Sequence, residues 1–112
     1  MAFSISTQLL EALVLSVCAR EDTYGYRITQ NIKDAIEISE STLYPVLRRL
    51  QKDGRLSTYD KEHNGRNRRY YTITDEGLDL LAAYKTDWLK HKNGIDFVLN
   101  GGVEVEERGI HR

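Results

Sequence analysis

One cysteine and one proline in 112 residues set the first limits. A lone Cys18 cannot close an intramolecular disulfide, which excludes a stapled secreted scaffold and makes the reducing cytoplasm the expected compartment. A long uncharged apolar run is also missing. The stretch from Ile5 to Ala19 is broken by Glu11 and has no Lys or Arg ahead of it, so it reads as neither a signal peptide nor a membrane span. His63, His91 and His111 share no ligand spacing with one another or with Cys18, and no Gly-rich phosphate loop occurs. Convergent nucleophile, base and metal ligands are therefore not in sight, and neither catalysis nor a cofactor is expected. The chain has no internal repeat and no low-complexity stretch, and its length suits one domain with one modest core.

An excess of one charge is lacking too: 16 Lys and Arg stand against 17 Asp and Glu, for a net charge of −1. Nucleic-acid-binding domains usually carry a basic footprint, so the total taken alone argues against such a partner. The distribution reverses that impression. Residues 41–71 hold Arg48, Arg49, Lys52, Arg55, Lys61, Arg66, Arg68 and Arg69 against Asp53, Asp60 and Glu62, a net of +5, and the remainder carries −6. A solvated helix face followed by a charged hairpin would have the same balance, so the order of elements decides.

Ile5, Leu9, Leu10, Leu13, Val14 and Val17 follow the three-and-four spacing of a helix over about 5–20, with Ser4 or Ser6 as cap. Leu15 and Ala19 lie off that stripe and point to contacts beyond the helix's own domain. Thr23 is expected to cap a second helix to about Ala35, with Ile28, Ile32, Ala35 and Ile36 inward. A third helix opens at Ser39 or Ser41, buries Leu43, Val46, Leu47 and Leu50, and ends at Lys52-Asp53-Gly54. Pro45 fits the later cap more easily, because only the first intrahelical bond is then lost.

Beyond Gly54 the pattern alternates. Leu56 to Tyr59 and Arg69 to Ile73 are rich in β-branched and aromatic residues, and between them lies the hairpin signal Asn64-Gly65 in a basic loop. Of the neighbours Tyr70 and Tyr71, one is expected in the core and the other exposed. Thr74-Asp75-Glu76 then opens a last helix over 75–99, about 37 Å long at 1.5 Å per residue, along which Leu78, Leu81, Ala82, Trp88, Leu89, Ile95 and Leu99 run. Three short helices and a hairpin cannot cover that length, so a second copy is the expected partner. Gly94 marks a place for a bend. Residues 100–112, with Gly101-Gly102 and three glutamates, read as a disordered tail with little to bury.

Three helices followed by a hairpin with a basic tip is the order of a winged helix-turn-helix. A helix fits the major groove, its outward residues meet base edges, and a flanking basic loop neutralises phosphate. On the third helix the core stripe leaves Ser41, Thr42, Tyr44, Pro45, Arg48, Arg49 and Lys52 outward. An Arg pairs bidentately with guanine, and hydroxyls serve either phosphate or base.

The residues Tyr24-Gly25-Tyr26-Arg27-Ile28, Ser41-Thr42-Leu43-Tyr44-Pro45-Val46-Leu47-Arg48-Arg49-Leu50, Asp53-Gly54, Gly65-Arg66 and Arg68-Arg69-Tyr70-Tyr71-Thr72-Ile73-Thr74-Asp75-Glu76-Gly77 together resemble the PadR family of bacterial transcriptional regulators, over about residues 5–99. With one helix after the wing, the chain is similar to the short PadR subfamily. The resemblance implies a mainly α fold with a small β-hairpin, divided into a winged helix-turn-helix DNA-binding domain at 1–74 and a dimerisation helix at 75–99. It also implies a homodimer built on the last helix with help from the first, and repression of a promoter relieved by a small planar or phenolic molecule.

Position by position, the resemblance places Tyr44, Pro45 and Arg48 on the recognition helix and Arg66, Arg68 and Arg69 on the wing. Tyr26 and Arg27 fall at the opening of the second helix, near the DNA backbone, although Tyr26 can equally be a packed aromatic. Trp88, with Leu81, Lys85, Leu89 and Lys92 around it and Leu13 opposite, is the effector or dimer-interface candidate; filling a dimer core is the plainer reading of that tryptophan. Lys85 and Lys92 suit an acidic ligand or Glu11 of a partner helix. Cys18 beside Val14 and Val17 reads as a small buried hydrophobe rather than a redox sensor. The rival to a DNA-binding regulator is a winged-helix module that binds protein, in which the arginines of the wing would have no clear purpose.

Overall fold

The structure is a computed structural model that describes residues 3–102. Along the chain run α1 (Thr7–Arg20), β1 (Thr23–Tyr24), α2 (Gly25–Lys33), α3 (Glu40–Lys52), β2 (Leu56–His63), β3 (Arg66–Ile73) and α4 (Asp75–Leu99). The three strands form one antiparallel sheet in the order β1-β3-β2. The fold is mainly α with a winged hairpin and a long last helix, as the pattern of the sequence implies.

Three helix starts carry side-chain caps. Ser6 Oγ accepts from the Leu9 amide at 3.1 Å, Ser39 Oγ from Thr42 at 3.3 Å and Thr74 Oγ1 from Gly77 at 3.0 Å. The third helix therefore starts at Ser39 and not at Ser41, and Pro45 lies within it. The lost bond is the one to the Ser41 carbonyl, early enough in the helix for the preceding turn to hold it. The α3 terminus closes with the Gly54 amide on the Gln51 carbonyl and the Arg55 amide on the Leu50 carbonyl, a Schellman arrangement.

Thr23 does not cap the second helix. Thr23 and Tyr24 pair with Tyr71 and Tyr70 as a short edge strand, so α2 starts at Gly25 and ends at Lys33, leaving Ala35 outside it and exposed. Two residues are too few for period-two alternation to announce, and their strand state is set by β3. Between β2 and β3 the turn is Asn64-Gly65, with φ of 53° and 77°, the pair of left-handed residues a two-residue type I′ hairpin demands.

The core lies where α1, α2, α3 and the first turns of α4 meet the inner face of the sheet. Val14, Leu15, Ile28, Leu43, Leu47 and Leu50 are fully enclosed there, with Leu56 and Tyr71 closing the sheet side. Leu15 is thus a residue of the domain's own core, not a contact beyond it. Gly77 on α4 packs so closely on the hairpin base that a Cβ would collide with the Arg55 carbonyl and come within 2.7 Å of Ile73 Cγ1. Past Tyr84 the helix leaves the body. The radius of gyration is 17.0 Å, against about 13 Å for a compact chain of this size. Gly94 causes no break, since α4 is continuous to Leu99. Of the expected tail, Asn100 to Gly102 form the turn that closes α4, and residues 103–112 lie outside the described residues.

Candidate nucleic-acid interface

The α3 core stripe fixes what the helix presents elsewhere. Leu43, Val46, Leu47 and Leu50 are buried, and Ser41, Thr42, Pro45, Arg48 and Lys52 are exposed. Ser41, Pro45, Arg48 and Lys52 follow one another at steps of three and four and so share one face. Tyr44 borders that face and is half-buried, its ring lying over Gly25, where an added Cβ would sit 3.1 Å from Tyr44 Cε1.

Arg49 does not share this presentation. Its Nε donates to Glu11 Oε2 on α1 at 3.1 Å, and its second terminal nitrogen is buried without a partner among the described residues. The two neighbouring arginines of α3 thus do different things: Arg48 faces solvent and Arg49 is tied into the body. Glu11 is likewise engaged within its own chain, where Tyr84 donates to its Oε1 at 2.6 Å. Both carboxylate oxygens of Glu11 are thus engaged within one chain, and Lys92 pairs with Asp96 one turn along at 3.2 Å.

The two-residue turn sets the register of the wing at His63 opposite Arg66, Lys61 opposite Arg68 and Tyr59 opposite Tyr70. Alternation then puts Tyr59, Lys61, His63, Arg66, Arg68, Tyr70 and, from β1, Tyr24 on one face. This face is a cationic row laid on aromatic rings. The Arg68 guanidinium lies 4.4 Å from the Tyr24 ring centroid, and Lys61 Nζ lies 5.3 Å from that of Tyr70. Tyr70 stacks on Tyr59 and meets Tyr24 edge-on, with centroids 5.6 Å apart in both pairs. Both neighbours on β3 are therefore buried, Tyr70 to 7% and Tyr71 to 9% exposure. The expected exposed member of the pair is covered by rings from the two flanking strands.

Arg69 lies on the opposite face of β3, beside Tyr71. The two faces meet at a cleft of about 260 Å³ lined by Tyr24, Gly25, Tyr26, Tyr44, Arg68, Arg69 and Tyr71. This cleft joins the start of α2, the α3 face and the wing. Tyr26 is exposed at its rim, so it does not serve as a packed aromatic between α2 and α3. Arg27 is not brought to this group. It lines a separate cleft of about 350 Å³ with Arg20 and Asn31, between α1 and α2. Tyr24, Lys61 and His63 belong to the surface and escaped selection from sequence, although the Asn-Gly turn fixes the register that places the latter two beside the wing arginines.

The α4 candidates separate as well. Leu81 is 5% exposed within the domain's own core, and Leu13 packs partly buried against it. Leu78 points outward, and the helix packs on the body through Gly77, Leu80, Leu81 and Tyr84. Trp88 and Leu89 are exposed, 43% and 57%, with Lys85 and Lys92 also in solvent. Cys18 is enclosed, and burial pushes its thiol up to about 12, which keeps it protonated and unreactive. No helix among the described residues is long and apolar enough to cross a membrane.

Residues 14–83 match the transcriptional regulator PadR-like family. Among solved structures, the chain is similar to smu.1704 from Streptococcus mutans UA159, with 42% identity, a TM-score of 0.84 and coverage of 95% of this chain and 100% of the other. A PadR-like transcriptional regulator (BC4206) from Bacillus cereus is 31% identical with a TM-score of 0.75, over 81% of this chain and 91% of its own. The transcriptional regulator Rv3488 of Mycobacterium tuberculosis is 35% identical over 70 residues, 62% of this chain and 65% of that protein.

Proposed function

Because the chain belongs to the PadR-like family of transcriptional regulators and is not an enzyme, we propose that it is a repressor that reads a near-palindromic DNA operator as a homodimer and is released by a small planar or phenolic effector. The observation that carries the DNA reading is the continuity of one surface. Tyr44, which borders the exposed α3 face of Ser41, Pro45, Arg48 and Lys52, lines one cleft together with Arg68 and Arg69 of the wing, and Arg66 lies beside Arg68 at the wing's exposed tip. The helix supplies groups for base edges, and the wing supplies charge for phosphate. The acidic remainder of the chain turns this basic surface toward a duplex.

Dimerisation is assigned to the free part of α4. Trp88, Ile95 and Leu99 follow one another at steps of seven and four and form one exposed apolar face of the projecting helix, flanked by Leu89 and Val98. A second copy laid against it covers that face and spaces two reading surfaces about one helical turn of DNA apart. In this division residues 1–74 read and 75–99 assemble. Trp88, with Lys85 beside it, is the place for a flat acidic effector.

The test is a titration of duplex containing the upstream region of the protein's own gene, repeated at increasing salt. A salt-sensitive complex is expected, with a shallower salt slope for Arg66→Ala by about one unit per lost phosphate contact. Absence of any complex overturns the DNA reading. Sedimentation of Leu89→Asp, expected to be monomeric, tests the dimer. A flat titration of Trp88 emission with planar phenolic acids removes the effector assignment.

A further inference from the structure

Glu11 is charged, lies on a helix surrounded by the rest of the domain, and has both carboxylate oxygens claimed by different elements. Tyr84 of α4 donates to Oε1 at 2.6 Å, and Arg49 of α3 donates to Oε2 at 3.1 Å. Its side chain is 15% exposed. A hydrogen bond between a phenol and a carboxylate at that distance is charge-assisted and directional. With Arg49 as the other partner, the carboxylate is the one polar joint that links α3 to α4 through α1 among the described residues.

The geometry has a consequence for α3. Successive residues of a helix are turned by about 100°, so anchoring Arg49 on α1 determines where Arg48 points, and with it Pro45, Ser41 and Lys52. Apolar packing of Leu43, Leu47 and Leu50 resists large displacement, but it is non-directional and tolerates small rotations. The Glu11 contact supplies direction. On the other side, Tyr84 stands one turn before Trp88, at the point where α4 leaves the body and begins its exposed apolar stretch.

We propose that Glu11 is a positioning residue that fixes the rotation of the α3 reading helix relative to α4, so that the seating of α4 and the presentation of Arg48 are coupled through one carboxylate. The proposal rests on the DNA reading given above and deepens it. Movement of α4 at Tyr84 alters one of the two bonds on Glu11 and thereby the hold on Arg49; DNA engaging Arg48 acts back along the same route, since coupling between two sites is reciprocal.

The experiment compares wild type, Tyr84→Phe and Glu11→Gln, using a duplex that the wild-type protein enriches from a random-sequence pool. Circular dichroism and sedimentation report fold and assembly, a binding titration reports affinity, and Trp88 emission reports α4. Wild type is expected to change Trp88 emission on adding the duplex. Tyr84→Phe is expected to keep fold and assembly, to lose about tenfold in affinity and to lose the Trp88 response. Glu11→Gln is expected to do the same, and the double variant to be no weaker than Glu11→Gln alone. Wild-type affinity and an intact Trp88 response in Tyr84→Phe overturn the positioning role while leaving the DNA reading in place. Should the wild type enrich no duplex at all, the DNA reading falls and the proposal falls with it.

Discussion

The guanidinium of Arg68 lies 4.4 Å from the centroid of the Tyr24 ring, so the wing is fastened to the start of α2 by a cation held on an aromatic face. His63 approaches the same ring at 5.6 Å and Tyr70 meets it edge-on. An arginine on a hairpin normally samples many rotamers, and the contact with the Tyr24 ring favours one of them. Tyr24→Phe keeps the ring and is expected to leave thermal stability within about 0.5 kcal/mol of wild type, while Tyr24→Leu removes the π-face and is expected to cost about 1–2 kcal/mol. Thermal denaturation checks the pair; equal losses for Phe and Leu would show that the ring face is irrelevant.

Gly77 gives a second prediction, in which space and not conformation decides. The start of α4 rests on the hairpin base through this residue, and the backbone oxygen of Arg55 stands where a Cβ would go. The same carbonyl accepts from the Thr74 amide and hydroxyl, so it cannot retreat without breaking the α4 cap. Gly77→Ala is therefore expected to destabilise the protein by about 2–3 kcal/mol, although alanine is the better helix former. Urea unfolding measures it. A stabilised Gly77→Ala protein would mean that helix propensity outweighs the clash.

These two residues also mark how far the sequence could be read. Local patterns were sufficient for α3, whose Leu43, Val46, Leu47 and Leu50 stripe is the buried one, for the limits of α4, and for the turn at Asn64-Gly65. They failed where the outcome depended on a partner distant in the chain. Thr23 resembles a helix cap in isolation and becomes a strand because Tyr71 offers it a ladder. Tyr70 is hidden by Tyr24 and Tyr59, which only the sheet brings alongside it. Ser39 and Ser41 are equivalent as caps by type, and the fold selects the earlier one. In the candidate site, Arg48 was legible from periodicity. The diversion of Arg49 to Glu11, 38 positions away, was not.

Burial of Cys18 yields a third prediction. Desolvation raises its thiol to about 12, with the charge of Asp22 adding to the effect, so almost no thiolate exists near neutral pH and the sulfur is also out of reach. Labelling by a thiol reagent in the native state is expected to be at least about a hundredfold slower than in urea, because it requires opening of the core around α1. Rapid native labelling, at a rate proportional to reagent and independent of stability, would contradict the enclosure of Cys18.

The joint between Tyr84 and Glu11 predicts a pH dependence. The phenol is raised from an ordinary 10.0 to about 12, first by burial, then by its hydrogen bond to Glu11 and the repulsion that carboxylate exerts on a phenolate, with Arg55 and Arg49 pulling weakly the other way. In the unfolded chain the same hydroxyl ionises near its ordinary value, so below pH 10.0 both states hold the proton and the stabilising contribution is complete. Between pH 10.0 and about 12 the unfolded state gives up its proton while the folded state keeps it, and the contribution is lost as pH rises through the folded value. Comparing wild type with Tyr84→Phe isolates this group, because Cys18, Tyr59 and Tyr71, whose values are raised too, are common to both proteins and cancel. The stability difference between the two is expected to be constant up to pH 10.0 and to shift steadily against wild type above it. Urea unfolding across that range gives the difference directly, and a difference independent of pH would mean that the Tyr84 hydroxyl is not held by Glu11 in solution.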